Sequence, residues 1–255
     1  MGFLSRVGSG QRSGQALPDK AQFPLTDPND PRVVYVLSAR ARRISLKVRP
    51  HERRVHVVVP GPAQLRQARQ FARANREWID VQLEHLPESR PFVPGAAIPF
   101  QGQPFRLVNP PGKGRARIDR DARKIVVPSP DRDSFPGRVE RFLKREARRE
   151  LEAATHHYAA QLGKRVARVS VRDQSSRWGS AVTRGGEGHI SYSWRLICAP
   201  PDILDYVCAH EVAHLEEANH SPAFWAVCEG LFPDTKAARR WLRKHGQELH
   251  AVGQG

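Results

Sequence analysis

The alternation of apolar and polar positions predicts that the first half of the chain is rich in short strands. Apolar residues alternate with polar ones across 44–59, on both sides of Pro50, which is typical of a β-hairpin. Two further alternating stretches, 98–108 and 115–127, each contain a central turn sequence and predict two more hairpins. Between the first two hairpins, apolar residues recur at helical spacing from Ala63 to Leu86 and predict one amphipathic helix.

Helical periodicity dominates the second half. Apolar residues at helical spacing predict a long helix from Phe135 to Leu162. Alternating residues then predict a strand near Val169 and another from Gly188 to Trp194. Helical spacing returns in Ser221–Leu231 and Thr235–Leu249, so two helices are expected at the end of the chain. Strands followed by helices indicate an α+β fold class.

The same pattern suggests how the chain divides. Residues 1–31 are rich in Gly, Ser, Pro and Asp without apolar periodicity, so they are predicted to form a disordered tail. The β-rich N-terminal region with its one helix is expected to occupy residues 32–130, and the helix-rich core residues 131–255. A chain of 255 residues is long enough for one large or two small domains.

One predicted helix is apolar but contains three polar residues whose burial requires compensation. The run that begins at Ile203 is almost wholly apolar, yet it contains His210, Glu211 and His214. Burying two imidazoles and a carboxylate is costly unless something compensates them, and a divalent metal ion would do so. Residues four apart share one face of a helix, so the two histidines can hold one ion together. Glu211 is rotated by about 100° from His210, where it can accept a proton from a water at the metal's open position.

A third histidine follows shortly afterwards. Asn219 tolerates a left-handed conformation, Ser221 is a good N-cap and Pro222 suits the first position of a helix. We therefore expect the first helix to end at Asn219, so that His220 folds back to the metal. Three nitrogen ligands with one open position are typical of a catalytic zinc site. The alternative interpretation is that the three histidines are ordinary core or surface residues.

The charge of the chain favours polyanionic partners. With 42 basic and 26 acidic residues, the formal net charge is +16, which suits nucleic acid or a nucleotide. However, 34 of the 42 basic residues are Arg and only 8 are Lys, a bias that a GC-rich coding sequence would also produce. A nucleic-acid or nucleotide partner is therefore a possibility rather than an implication of the charge.

Cysteine usage and hydropathy favour the cytoplasm. Cys198, Cys208 and Cys228 show no paired spacing and lie in apolar surroundings, so they are predicted to be reduced core residues. No apolar run approaches the roughly 18 residues that a membrane span requires, and residues 1–20 contain no stretch typical of a signal peptide. We therefore expect a cytoplasmic protein without a membrane segment.

The second half resembles a known family over about residues 165–245. The order and spacing of its blocks are similar to those of the YgjP-like metallopeptidase family, which is akin to the SprT and WLM zinc peptidases. The blocks are 176–180 (Ser-Arg-Trp-Gly-Ser), 190–197 (Ile-Ser-Tyr-Ser-Trp-Arg-Leu-Ile), 199–201 (Ala-Pro-Pro), 205–207 (Asp-Tyr-Val), 210–215 (His-Glu-Val-Ala-His-Leu) and 219–225 (Asn-His-Ser-Pro-Ala-Phe-Trp). The region from about residue 33 is also similar to the family's usual N-terminal part, although less distinctively.

The resemblance implies a zincin-like core, made of a long helix, a small sheet, the HExxH helix and C-terminal helices. It carries the role of metal ligands to His210, His214 and His220 and the catalytic role to Glu211. One departure is Ala181, because family members often have a cysteine there; the zinc chemistry does not use that thiol. A metzincin is excluded, because the only methionine is Met1 and no Met-turn is possible.

These inferences predict a zinc-dependent metallopeptidase that cleaves peptide bonds, with Glu211 as general base. Candidates for a second donor to the oxyanion are Arg177, His189 and Tyr192. The strand from Gly188 to Trp194 is expected to be a sheet edge at which a peptide substrate pairs.

Two other functions remain open at this stage. Some relatives carry a nucleotide (UTP-type) pyrophosphatase annotation, and the positive charge would suit that substrate, although no phosphate-binding Gly-rich loop precedes a helix. The third possibility is a DNA-associated protein that acts on DNA-bound proteins, as the SprT relatives suggest.

Overall fold

The computed structural model describes residues 19–174 and 177–254, with His51 described for its backbone only. Within these residues the protein has six α-helices and eleven strands, arranged in three small sheets, which confirms the α+β fold class. Contacts between residues divide the chain into two compact units, with the boundary between His85 and Leu86. Residues 1–18 of the predicted tail and Ser176 of the first family block lie outside the described residues.

The strands are β1 (Leu25–Asp27), β2 (Asp30–Leu37), β3 (Ser45–Arg49), β4 (Arg54–Val59), β5 (Ala97–Phe100), β6 (Gln103–Val108), β7 (Arg117–Asp119), β8 (Lys124–Val126), β9 (Val166–Arg172), β10 (Gly179–Arg184) and β11 (Glu187–Ser193). The helices are α1 (Leu65–Ala74), α2 (Arg76–Glu84), α3 (Phe135–Gln161), α4 (Pro201–Ala213), α5 (Pro222–Leu231) and α6 (Thr235–His250).

The N-terminal unit contains a sheet of order β1-β2-β4-β3. The predicted hairpin is present, since β3 and β4 pair antiparallel with Leu46 opposite Val57. Strand β1 lies inside the stretch that was expected to be a tail. Two contacts hold β1 in place. Leu25 pairs with Tyr35 of β2, and the buried hydroxyl of Tyr35 donates a hydrogen bond of 2.5 Å to Asp27.

The single helix predicted for residues 63–86 is instead two helices, α1 and α2, separated at Asn75. The side-chain amide of Asn75 donates a hydrogen bond of 2.8 Å to the carbonyl of Phe71. A side chain that competes with the backbone for a helical carbonyl favours a local break, which apolar spacing alone does not reveal.

The C-terminal unit starts with the other two predicted hairpins, β5–β6 and β7–β8, which join in a sheet of order β5-β6-β8-β7. The long helix α3 begins where it was predicted and ends one residue earlier. Its apolar face is buried against α4, and the two helices share one hydrophobic core with the sheets of this unit.

The third sheet has the order β10-β11-β9, in which β11 pairs antiparallel with β10 and parallel with β9. The expectation that the strand from Gly188 to Trp194 forms an edge is therefore wrong, because β11 is hydrogen-bonded on both sides. The described edge strand on one side is β10, which continues from Trp178 and turns into β11 at Gly185 and Gly186.

Two predictions from composition can be compared with the structure. Cys198, Cys208 and Cys228 are free and buried, as predicted for reduced core residues. In the described part of the chain, no helix has both the length and the apolar character that crossing a bilayer demands.

Candidate metal centre

Helix α4 carries His210 and Glu211, has His214 as its C-cap, and is buried on most of its faces, as predicted. Proline occupies its first position, where the missing amide proton costs nothing, and Asp202 follows in the positively polarised first turn. The side chain of Glu211 is almost completely enclosed, with 6% of the residue exposed. A carboxylate at this depth requires a compensating partner.

The predicted end of this helix at Asn219 is wrong, since α4 ends at Ala213. The amides of Leu215 and Glu216 bond three residues back, to Val212 and Ala213, so the backbone tightens directly after His214. Nδ1 of His214 then donates to the carbonyl of Glu217 at 3.1 Å, which holds the turn in place. Asn219 is also not among the described residues with positive φ.

The early turn nevertheless brings His220 back toward α4. Ser221 caps α5, because its side chain accepts a hydrogen bond of 3.2 Å from the amide of Phe224, as predicted. Nε2 of His220 lies 3.1 Å from Nε2 of His210. Each of the three histidines offers one ring nitrogen, and these nitrogens lie within 4.8 Å of one another. The three side chains can therefore hold a single metal ion.

Aromatic residues of α5 fix the positions of the three imidazoles. The ring centroid of Phe224 lies 4.4–4.9 Å from those of all three histidines. Trp225 stacks on His220, and the Arg239 guanidinium lies over the Trp225 ring, 4.1 Å from its centroid. Sequence reasoning missed these supports, although an aromatic pair three and four residues after the N-cap Ser221 was a visible signal.

The second nitrogens of the two helical histidines have partners of their own. Nδ1 of His210 lies 3.4 Å from the hydroxyl of Tyr206, and Nδ1 of His214 donates to Glu217. The hydrogen bond to the carbonyl of Glu217 places the ring proton of His214 on Nδ1, so that its Nε2 presents a lone pair to a metal.

The electrostatics of the cluster also suit a metal. Burial, followed by the neighbouring histidines and Arg239, lowers the pKa of His210 to about 3. Burial likewise lowers the pKa of His214. Both imidazoles are therefore neutral near pH 7, which is the form that binds metal ions. The donor set thus fits the metal ion that a metallopeptidase requires.

Glu211 lies beside the cluster in a setting that changes its acidity. Burial raises its pKa to about 7, and the nearby positive charge of Arg177 opposes that rise. Gly179 of β10 packs directly against this side chain. A Cβ added at Gly179 would meet Oε1 and Cγ of Glu211 at 2.5 Å, so only glycine leaves room for the carboxyl group.

A cavity of about 740 Å³ opens over these groups. Its walls come from the segment 177–183, which includes most of β10, from α4 and from the turn that carries His220. A volume of this size lies within the range of known ligand-binding clefts.

The three residues predicted as possible oxyanion donors differ in position. Arg177 is exposed and lines the cavity. Tyr192 is fully buried, its hydroxyl lies 2.9 Å from that of Thr155, and it does not line the cavity. His189 is not a lining residue either. Only Arg177 therefore reaches the space in front of Glu211.

The comparisons with known proteins agree with this geometry. The family model described as "YgjP-like, metallopeptidase domain" matches residues 42–245. Comparisons with curated proteins and with solved structures each give no match. The match covers most of the 255 residues and includes the histidine cluster, Glu211 and the cavity walls, so the chain belongs to the YgjP-like metallopeptidase family.

Proposed function

We propose that the protein is a zinc-dependent metallopeptidase in which His210, His214 and His220 hold the metal and Glu211 acts as general base. The observation that carries the proposal is the convergence of three imidazoles beside a buried carboxyl group in an open cavity. Membership of a metallopeptidase family independently implies a metal ion.

The donor set favours zinc among the common metals. Three imidazole nitrogens with no carboxylate among the clustered groups suit zinc better than magnesium or calcium, which prefer oxygen ligands. Zinc in such a site supplies Lewis-acid polarisation of a carbonyl and lowers the pKa of a coordinated water to about 7.

Glu211 then performs the proton transfers. Its carboxylate accepts a proton from the attacking water and later delivers that proton to the leaving amine. With a pKa of about 7, Glu211 can be either protonated or ionised near pH 7. A cation held by the histidines would favour the ionised carboxylate, which is the form that accepts the proton in the first step. Arg177 is positioned to stabilise negative charge that develops on the substrate oxygen.

The cavity walls favour a peptide over a nucleotide as substrate. Strand β10 lies at the sheet edge and lines the cavity, so its outward backbone groups are available to pair with an extended peptide. Arg177 is the only Lys or Arg among the described lining residues, whereas a triphosphate would require several cations. These features favour hydrolysis of peptides over hydrolysis of phosphoanhydrides.

The decisive experiment compares the two substrate classes directly. The purified zinc-loaded protein is incubated with unfolded proteins and, in parallel, with a panel of nucleoside triphosphates. We expect new peptide termini by mass spectrometry and no release of pyrophosphate or phosphate. Release of pyrophosphate without peptide cleavage would replace the peptidase proposal by the pyrophosphatase alternative.

Gly179→Ala is expected to impair turnover without removing the metal. The new methyl group would lie only 2.5 Å from the Glu211 side chain and would displace its carboxyl group. A displacement of about 1 Å at a catalytic group can lower the rate by roughly 10²-fold. The measurement is kcat on a cleaved peptide together with zinc content by elemental analysis.

Gly230→Ala is the matched control, because it makes the same chemical change in helix α5. No atom lies within 4 Å of a Cβ added there, and the position has an ordinary φ. This variant should keep normal kcat and zinc content. Equal rates for Gly179→Ala and Gly230→Ala would show that the position of the Glu211 carboxyl group is unimportant.

A further inference from the structure

A second cavity in the C-terminal unit is lined mainly by arginines. It has a volume of about 470 Å³ and lies between α3 and the segment 114–116. Four of its seven described lining residues are arginines, and it shares no lining residue with the cavity at the metal centre. The four are Arg115, Arg138, Arg141 and Arg145.

Three of these arginines form one row along α3. Positions 138, 141 and 145 are separated by three and four residues, so they share a face of the helix. Seven residues of helix span about 10 Å. The row is therefore longer than the stretch of helix that a single small ion could contact.

The arginines of the row differ from the other basic residues of the same helix. Lys144, Arg148 and Arg149 all form ion pairs with glutamates of α3. The four cavity arginines form no ion pair with a carboxylate of the part of the chain that the structure describes. The charge of the cavity is thus uncompensated, whereas the rest of α3 is balanced.

One of these arginines is also incompletely hydrogen-bonded. Nη2 of Arg138 donates to the carbonyl of Gly114 at 3.4 Å, but its Nε is buried and has no hydrogen-bond partner. Arginine does not lose its proton, so the four guanidinium groups at this cavity repel each other. A bound anion would compensate their charge. The buried Nε adds a separate cost, because it has lost its hydrogen bonds to water without gaining a partner in the protein.

We infer that this cavity is a second binding site, separate from the metal centre, which takes a ligand with adjacent phosphate groups. Guanidinium groups bind phosphate oxygens in a bidentate manner, and a row of about 10 Å can contact more than one phosphate. The cavity volume lies within the range of sites for small ligands. Adjacent phosphates occur both in inorganic polyphosphate or nucleotides and in a nucleic-acid backbone, and the net charge of +16 suits either source.

The test measures binding of two probes to the full-length protein at 50 mM and 200 mM salt. Inorganic tripolyphosphate is followed by calorimetry, and a labelled single-stranded oligothymidine by fluorescence anisotropy. The variant Arg141→Gln/Arg145→Gln removes two exposed charges from the cavity. The matched control Lys144→Gln/Arg148→Gln removes two charges from the same helix outside it.

We expect the cavity variant to bind tripolyphosphate roughly tenfold more weakly or worse, while the control stays near the wild-type affinity. A parallel loss for oligothymidine, with a salt dependence lowered by about one unit of slope, would identify nucleic-acid backbone as a source of the phosphates. Loss for tripolyphosphate alone would identify a free polyphosphate or nucleotide. The inference is overturned if the wild type binds neither probe, or if both double variants lose the same affinity.

Discussion

Glu211→Gln is expected to lower kcat on a cleaved peptide by about 10²–10⁴-fold while the zinc content stays at the wild-type level. The amide has nearly the shape of the carboxyl group, so the contact with Gly179 is kept. What is lost is the ability to accept a proton from water and to return it. The fold should also persist, because a neutral side chain at a site with 6% exposure avoids the cost of a buried charge.

Glu216→Gln is the matched control for this experiment. It makes the same change five residues further along, on an exposed side chain that does not line the cavity and forms an ion pair with Lys164. An exposed ion pair contributes at most about 1 kcal/mol, so both stability and turnover should change little. If Glu211→Gln kept full turnover with zinc bound, another group would have to be the base.

The local parts of the candidate site could be predicted because they depend on short sequence separations. The spacing of His210 and His214 determines that both lie on one helical face, whatever the rest of the chain does. Ser221 followed by proline signals a new helix just after His220, and that helix is present. The burial of α4 follows from its almost uniformly apolar composition.

The features that were missed depend on particular side-chain and strand contacts, which are local at the end of α4 and distant in the sequence at β10. The helix ends at Ala213, and the ring of His214 holds the following turn by a hydrogen bond to the carbonyl of Glu217, a contact that capping preferences do not reveal. Strand β10 was not predicted, because its sequence Gly-Ser-Ala-Val-Thr-Arg has little apolar alternation. Its pairing with β11 places β11 in the middle of the sheet and sets Gly179 against Glu211, 32 positions further along the chain.

Removal of the metal is expected to destabilise the wild-type protein and to leave a His220→Ala variant unaffected. At a metal concentration about 100 times Kd, binding to the folded state contributes about 2.7 kcal/mol. For a domain of this size, that corresponds to a decrease in Tm of about 5–10 °C when a chelator is added. His220→Ala should bind zinc far more weakly, show almost no chelator effect and have lost peptide cleavage.

His220 is the best of the three histidines for this test because it is exposed, so its removal leaves no buried cavity. A Tm of His220→Ala close to that of the chelated wild type would separate loss of the metal from loss of the fold. His156→Ala, an exposed histidine of α3, is the control and should keep both zinc and the chelator effect. Equimolar zinc and full turnover in His220→Ala would contradict the three-histidine assignment, since an ion held by His210 and His214 alone would then suffice for catalysis.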